Sequence, residues 1–320
     1  MWNVREGGPE DLEALLELAR TKVYYRSHLL ERGELQELTE GMLKYLVGSD
    51  ASVRVLLADD DGEVGGYFLL KTGEVESITR EPQTLIADYG LVEPDCFEAL
   101  LDRADEIGRQ VGDRYLVVHT LYLSEPEEWF CLAGFTAEIS RTVKRIEPGA
   151  RAPQHPRFPV RRARPNDQMF IMWLNTQCSP VYLPAGREVD RLKISQGFLE
   201  SYAELKIGDP NHLYFIADDQ KSGDPVGFLI LQLGRLTVGR KDLTAYVYDI
   251  AAHPDFRGNG ISYYLLGNGE QALGEAGGGY LIGDISMGNP IAIKTSESLG
   301  FHQDSRRWGR PLTSRQHELT

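Results

Sequence analysis

The sequence has no run of 18 apolar residues, so nothing in it reads as a membrane-spanning helix. Its first residues, Met1-Trp2-Asn3-Val4-Arg5-Glu6, lack the apolar stretch of a secretory signal, and a cytoplasmic setting without membrane attachment is expected. Cysteine is scarce. Cys96, Cys131 and Cys178 are odd in number and far apart, which argues against a disulfide framework or a cysteine zinc site. Each reads as a small buried apolar residue sooner than as a nucleophile. None of the seven histidines falls into His-x-x-x-His, and no metal is expected. Two phosphate-binding signatures are also missing, Gly-x-x-x-x-Gly-Lys-Ser/Thr and Gly-x-Gly-x-x-Gly.

What is present is a chain of 320 residues, enough for two domains, with 42% hydrophobic and 26% charged residues. The net charge of −14 is unevenly spread. Residues 1–153 hold 30 acidic and 16 basic side chains, and residues 154–320 hold 18 of each. Such a chain is not expected to bind a nucleic-acid backbone, and an anionic ligand meets less repulsion in the second half. The Pro- and Gly-rich stretch 148–158 reads as a linker, giving domains at 1–147 and 159–320.

The halves are related by an internal repeat. Val4, Arg5, Pro9 and Asp11 match Val160, Arg161, Pro165 and Asp167 at a constant offset of 156. Both segments read as a strand, a turn with proline and a helix start that Asp can cap. Strand pairs follow at 53–59 with 64–70 and at 213–218 with 226–233, each around a Gly-containing turn. The acidic run Asp59-Asp60-Asp61-Gly62-Glu63 lacks the ligand register of a calcium loop and reads as a hairpin tip. Each half then has a helix, a strand (115–122 and 279–286) and a closing Gly134-Phe135 or Gly300-Phe301. The order describes a mixed α/β layer fold, duplicated.

The chemistry concentrates in residues 243–266. A strand ends near Pro254, and Arg257-Gly258-Asn259-Gly260-Ile261-Ser262 then runs into a helix. Glycines let backbone approach a ligand, and successive N–H groups at a helix N-terminus hold a pyrophosphate-sized anion. Arg257 would add a charged contact.

This loop resembles the coenzyme A pyrophosphate loop of the GNAT N-acetyltransferase superfamily. Residues from Asp249 to Gly260 resemble that family's fourth strand entering the loop. Asp284-Ile285-Ser286, then Asn289-Pro290 and Leu299-Gly300-Phe301, resemble its fifth strand and the following helix. Val160 to Asp167 resembles its opening strand and helix. The resemblance implies two tandem GNAT domains, of which the first is degenerate. After Pro94 the first half reads Asp95-Cys96-Phe97-Glu98, with no glycine loop and with carboxylates that repel a pyrophosphate. The tandem plan is similar to that of mycothiol synthase and of antibiotic-pathway acetyltransferases.

The resemblance further implies acetyl-CoA, or another acyl-CoA, as co-substrate, a small-molecule primary amine as acceptor, and direct attack in a ternary complex. Pantetheine would pair with the strand edge from Tyr248 through Ile250 and Ala251 to Ala252, with a backbone N–H near Ile250 polarising the thioester. Arg257, Gly258, Asn259, Gly260, Ile261 and Ser262 would take the phosphates, and Asn289 would also bind the cofactor. The candidates for the base are Asp249, with Tyr248 and Tyr246 on the alternate face as further candidates or as walls of the acceptor pocket; Asp284 is another. The usual tyrosine acid falls at Ser296, a poor proton donor. Ser262 stands where the loop usually ends in Gly or Ala. The acceptor region spans 176–211 and includes Cys178, Tyr182, Arg187, Asp190, Arg191, Phe198, Leu199 and Tyr202. The alternative reading is a non-catalytic acyl-CoA-binding or sensor protein.

Overall fold

The protein is described by a computed structural model for residues 2–21, 37, 39–41, 43, 52–91, 95–122, 124–178, 182–187, 194, 202, 207–235 and 243–312. Its contacts form two units, Met1–Glu138 with Ser305–Thr320, and Ile139–Asp304. The first contains β1 (Asn3–Gly7), α1 (Leu12–Thr21), β2 (Val53–Asp60), β3 (Glu63–Val75), β4 (Pro82–Leu91), α2 (Asp95–Val111), β5 (Tyr115–Leu121) and α3 (Glu125–Leu132). After β6 (Thr136–Ile146), the second contains β7 (Val160–Arg162), α4 (Gln168–Cys178), β8 (His212–Asp218), β9 (Pro225–Arg235), β10 (Leu243–Ala252), α5 (Ile261–Glu275), β11 (Gly279–Ser286) and α6 (Pro290–Ser298). The last strand is β12 (His302–Pro311).

The final strands are exchanged. In the first unit the sheet order is β1-β2-β3-β4-β5-β12, and in the second it is β6-β11-β10-β9-β8-β7. From Ser305, β12 lies antiparallel to β5, Ser305 facing Leu121 and Pro311 facing Tyr115. From Ile139, β6 lies antiparallel to β11, Ile139 facing Ser286 and Ile146 facing Gly279. The strand preceding the expected linker therefore completes the sheet of the second unit. The expected linker itself packs on α5. Gly149 donates to Gly274 O, Ala152 donates to Gln271, and a Cβ at Gly274 would come within 2.6 Å of Ala150 N. This close approach accounts for glycine in the last turn of the helix.

The repeated Arg and Asp have a shared physical role. Arg5 makes a two-pronged bond to Asp11 (2.9 and 2.7 Å), and Arg161 makes one to Asp167 (2.8 and 3.0 Å). Each Asp also accepts the N–H three residues back, Gly8 or Arg164. The Asp therefore closes the turn from its third position, and the Arg of the preceding strand ties that turn to the sheet. Asp59–Glu63 is a hairpin tip, with Gly62 N–H donating to Asp59 at 2.9 Å and the left-handed backbone of Asp61 and Gly62 turning the chain.

Each sheet carries a hydrophobic cluster on both faces. In the second unit, Leu229, Leu231, Ala245, Ile261, Leu265 and Leu281 pack on the α5 face. Ile171, Leu174, Tyr214, Phe228, Ile230 and Ala251 pack on the α4 face. The parallel pairs are short. β4 pairs β5 only from Gln83–Tyr115 to Ile86–Val118, and β10 pairs β11 only from Leu243–Gly279 to Tyr246–Ile282. Beyond those residues the central strands diverge in both units.

Candidate active site

In the second unit the opening between β10 and β11 begins after Tyr246, and a β-bulge sits beside it. Val247 faces Leu231 and Asp249 faces Ile230, so Tyr248 is the extra residue. A bulge shifts the alternation of side chains by one. Before it, Ala245 and Val247 join the α5 cluster; after it, Ile250 and Ala252 do. Asp249 consequently lies on the α4 face together with Tyr246 and Tyr248. The expectation that the tyrosines occupy the face opposite Asp249 is corrected by this single inserted residue.

Asp249 is 5% exposed. Its Oδ2 accepts from Asn175 of α4 at 2.7 Å and from the hydroxyl of Tyr202. Asn175 also donates to that hydroxyl at 2.9 Å. Asp249 Oδ1 has no hydrogen-bond partner among the described residues. Burial raises the carboxyl's pKa, against the opposing pull of Tyr182, Tyr202, Asn175 and the N–H of Ile250. The phenols of Tyr182 and Tyr202 are pushed up by their own burial and by the same carboxyl, so both stay protonated donors. The carbonyl of Ile250 accepts from Tyr182 at 3.2 Å.

The second carboxylate on this face is differently placed. Asp284 of β11 receives two bonds from Arg141 of β6, both 2.8 Å, and one from Tyr246 at 3.2 Å. His212 opens β8 in register with Gln232, which is itself opposite Tyr246, and its Nδ1 lies 2.9 Å from Asp209. Its ring meets the Tyr248 ring edge-on at 6.2 Å. Neither Arg141 nor His212 was singled out from the sequence. Arg141 is 143 positions from its partner, and His212 carries no motif.

The loop after β10 has the features of an anion cradle. A short turn, Pro254–Phe256, leads to Gly258 (φ 81°) and Gly260 (φ 73°), left-handed positions that disfavour any side chain. The N–H groups of Gly258, Asn259, Gly260, Ile261 and Ser262 meet no acceptor among the described residues. Asn259 closes the loop by donating to Phe256 O at 2.9 Å. Ile261 is buried, and Ser262, half-buried, is the second residue of α5. Arg257 turns its guanidinium toward Cys178 Sγ at 3.7 Å. Cys178 is buried, as expected and unlike the exposed Cys131, and its thiol is pushed up by that burial. His253 accepts from Asp255 N–H and lies tilted against Trp173, ring centroids 5.2 Å apart. Asn289 caps α6, its Oδ1 accepting from Ala292 N–H at 3.1 Å. Ser296 is buried and donates to Ile293 O at 2.8 Å. Arg187 is buried as well, while Asp190, Arg191, Phe198 and Leu199 lie outside the described residues.

The first unit shows the same frame with its opening filled. Gly66 is positioned against Cys96 as Gly227 is against Ile261, so Phe97 stands where Ser262 does. Phe135 N–H bonds Phe130 O at 3.0 Å, as Phe301 N–H bonds Ser296 O at 3.0 Å, so Phe130 stands at the place of Ser296. Tyr89 follows Asp88 as Ile250 follows Asp249. Two of these rings pack on Phe130, with centroids 5.5 Å apart for Tyr89–Phe130 and 5.2 Å for Phe97–Phe130. Two further features agree with the second unit. β4 has its own register shift before Asp88, and Tyr67 donates to that carboxylate at 2.5 Å.

Residues 170–301 match the sequence model of the acetyltransferase (GNAT) family. Comparison with curated proteins gives no match. Among solved structures, a tandem GNAT protein from the clavulanic acid biosynthesis pathway is similar over 99% of this chain and 100% of its own, at 13% identity and a TM-score of 0.52. A GCN5-related N-acetyltransferase from Sphaerobacter thermophilus is similar over 98% of this chain and 96% of its own, at 13% identity and a TM-score of 0.60. Residues 170–301 thus carry the sequence pattern of the GNAT acetyltransferase family, and the chain as a whole has the tandem GNAT fold.

Proposed function

We propose that the second unit transfers an acetyl, or other acyl, group from an acyl-CoA to the primary amine of a small molecule, and that the first unit binds no acyl-CoA. The observation that carries this reading is the meeting of two features at one strand end. The run of N–H groups from Gly258 to Ser262, without an acceptor among the described residues, lies in the loop that leaves the strand diverging from β11. The loop suits the pyrophosphate, with the positive end of α5 behind it. The exposed edge of β10 suits the amide groups of the pantetheine arm.

Asp249 is the carboxylate suited to proton removal. Asp284 is occupied by Arg141 and Tyr246, whereas Asp249 Oδ1 is buried with no hydrogen-bond partner among the described residues, and burial raises its proton affinity toward that of a useful base. Asp249 takes one proton from the ammonium group of the acceptor, and the amine nitrogen so freed, with two protons left, attacks the thioester carbon. The N–C bond forms, the C–S bond breaks with its electron pair left on sulfur, and the second proton of the nitrogen passes to that sulfur. Ser296, tied to Ile293 O, leaves that last transfer to the amine or to water. Catalysis then rests on positioning and on the single base.

Titration of acetyl-CoA into the wild type and into Ser262→Asp tests the reading. An acidic residue in the first turn favours the helix but repels a pyrophosphate, so the variant folds and its affinity falls at least about tenfold. Unchanged affinity overturns the placement. Affinity lost together with CoA release from a panel of amines supports a transferase. Binding without release from any amine supports the sensor reading, which the lack of a phenolic acid at Ser296 favours.

A further inference from the structure

Arg141 carries an inference about the acceptor, one that rests on the transferase reading above. It sits opposite Asp284 in the β6–β11 register, two residues beyond the last residue of β11 paired to β10, on the face that also holds Asp249, Tyr246 and Tyr248. Its Nε and Nη2 both bond Asp284 at 2.8 Å, which uses one edge of the guanidinium. The end edge, formed by Nη1 and the second N–H of Nη2, is not used by that pair, and the side chain is 41% exposed. A guanidinium has two such forks, and each matches one carboxylate. Asp284, steadied in turn by Tyr246, fixes the plane of the group, so the open fork is already oriented and a ligand binding there need not order a mobile side chain.

We propose that the open fork of Arg141 holds a carboxylate of the acceptor, so that the amine acylated by the second unit belongs to an amino acid or a similar amino-carboxylate. Asp249 then meets the ammonium end of the molecule and Arg141 its carboxylate end. Arg141 is a specificity residue and takes no part in proton transfer.

The test uses the full chain and matched pairs of acceptors, each amino acid against the amine left by its decarboxylation, with CoA release as the signal and acetyl-CoA titration as control. The expected result is a preference of at least about tenfold in kcat/KM for the carboxylate-bearing partner, carried mostly by KM. In Arg141→Gln the preference falls to within about twofold, while the affinity for acetyl-CoA and the turnover of the decarboxylated amines are kept. Arg141→Lys keeps the charge and loses the fork, and its preference lies between the two. Equal turnover of both partners by the wild type overturns the proposal and leaves the transferase reading standing. A preference that survives in Arg141→Gln overturns the role of this residue. Bound acetyl-CoA with no release from either set overturns both.

Discussion

The two units start from the same frame and differ in what occupies the opening between their central strands. Both have a short parallel pair, a bulge beside it and a carboxylate bonded by tyrosine just after it. In the second unit the positions bordering the opening are Ile250, Ser262 and Ser296; in the first they are Tyr89, Phe97 and Phe130. Where the second unit has three small or aliphatic side chains, the first has three rings, two of them packed on the third, Phe130. Aromatic contacts of this kind add about 0.5–1.5 kcal/mol each beyond the area they bury. The serines of the second unit, weak as chemistry, are informative as volume, because they leave room.

The comparison can be broken most severely by ending the chain at Asp304. The first unit then loses Trp308, buried in its core, and Arg307, which neutralises the buried Glu76 and Glu138. Buried carboxylates without their partner cost several kcal/mol. The expected outcome is loss of cooperative unfolding of the first unit, read by hydrogen exchange across β4 and β5.

Phe130→Ala empties the ring cluster of its centre and costs the first unit about 3–5 kcal/mol in urea denaturation. It confers no acetyl-CoA binding, because α2 begins with Asp95 and Glu98 and no glycine loop leads into it. The reverse exchange, Ser296→Phe, puts a ring into the second unit. It costs about 1–3 kcal/mol in strain and lowers acetyl-CoA affinity about a hundredfold by titration, or some 2.7 kcal/mol.

A smaller effect separates the buried carboxylate of the second unit by pH. Burial raises the pKa of Asp249, so the unfolded chain releases this proton first, and the native state loses stability as pH climbs out of the usual carboxylate range. Asp249→Asn keeps an acceptor for Tyr202 and removes that loss. The variant matches wild type near about pH 3.5 and gains on it from about pH 4 upward in urea midpoints. In the first unit, Tyr67→Phe removes the hydroxyl from Asp88 and costs about 1–3 kcal/mol, with the neighbouring Leu57 and Leu69 packing intact.

Much of the fold was legible in the sequence because its signals are local. The Arg5–Asp11 and Arg161–Asp167 pairs span six residues, the hairpin tips carry glycine, and the phosphate loop is one continuous segment. The ring cluster was legible in principle, by counting back five residues from Phe135 and from Phe301. The face of Asp249 was not, because Tyr246, Tyr248 and Ile250 alternate as an unbroken strand would, and the bulge is set by the partner β9. Nor was the exchange of β6 and β12. Both read as ordinary last strands of their own halves, and the choice of neighbour is made by pairing more than 130 residues away in sequence.

That exchange bears on how the protein is made. The second unit is one unbroken stretch, Ile139–Asp304, and can close its sheet as soon as β11 and α6 have left the ribosome. The first unit is synthesised earlier, yet the edge of β5 is unpaired until Ser305–Pro311 emerge. The half translated first is finished last, and throughout that interval it presents an open strand edge to its surroundings.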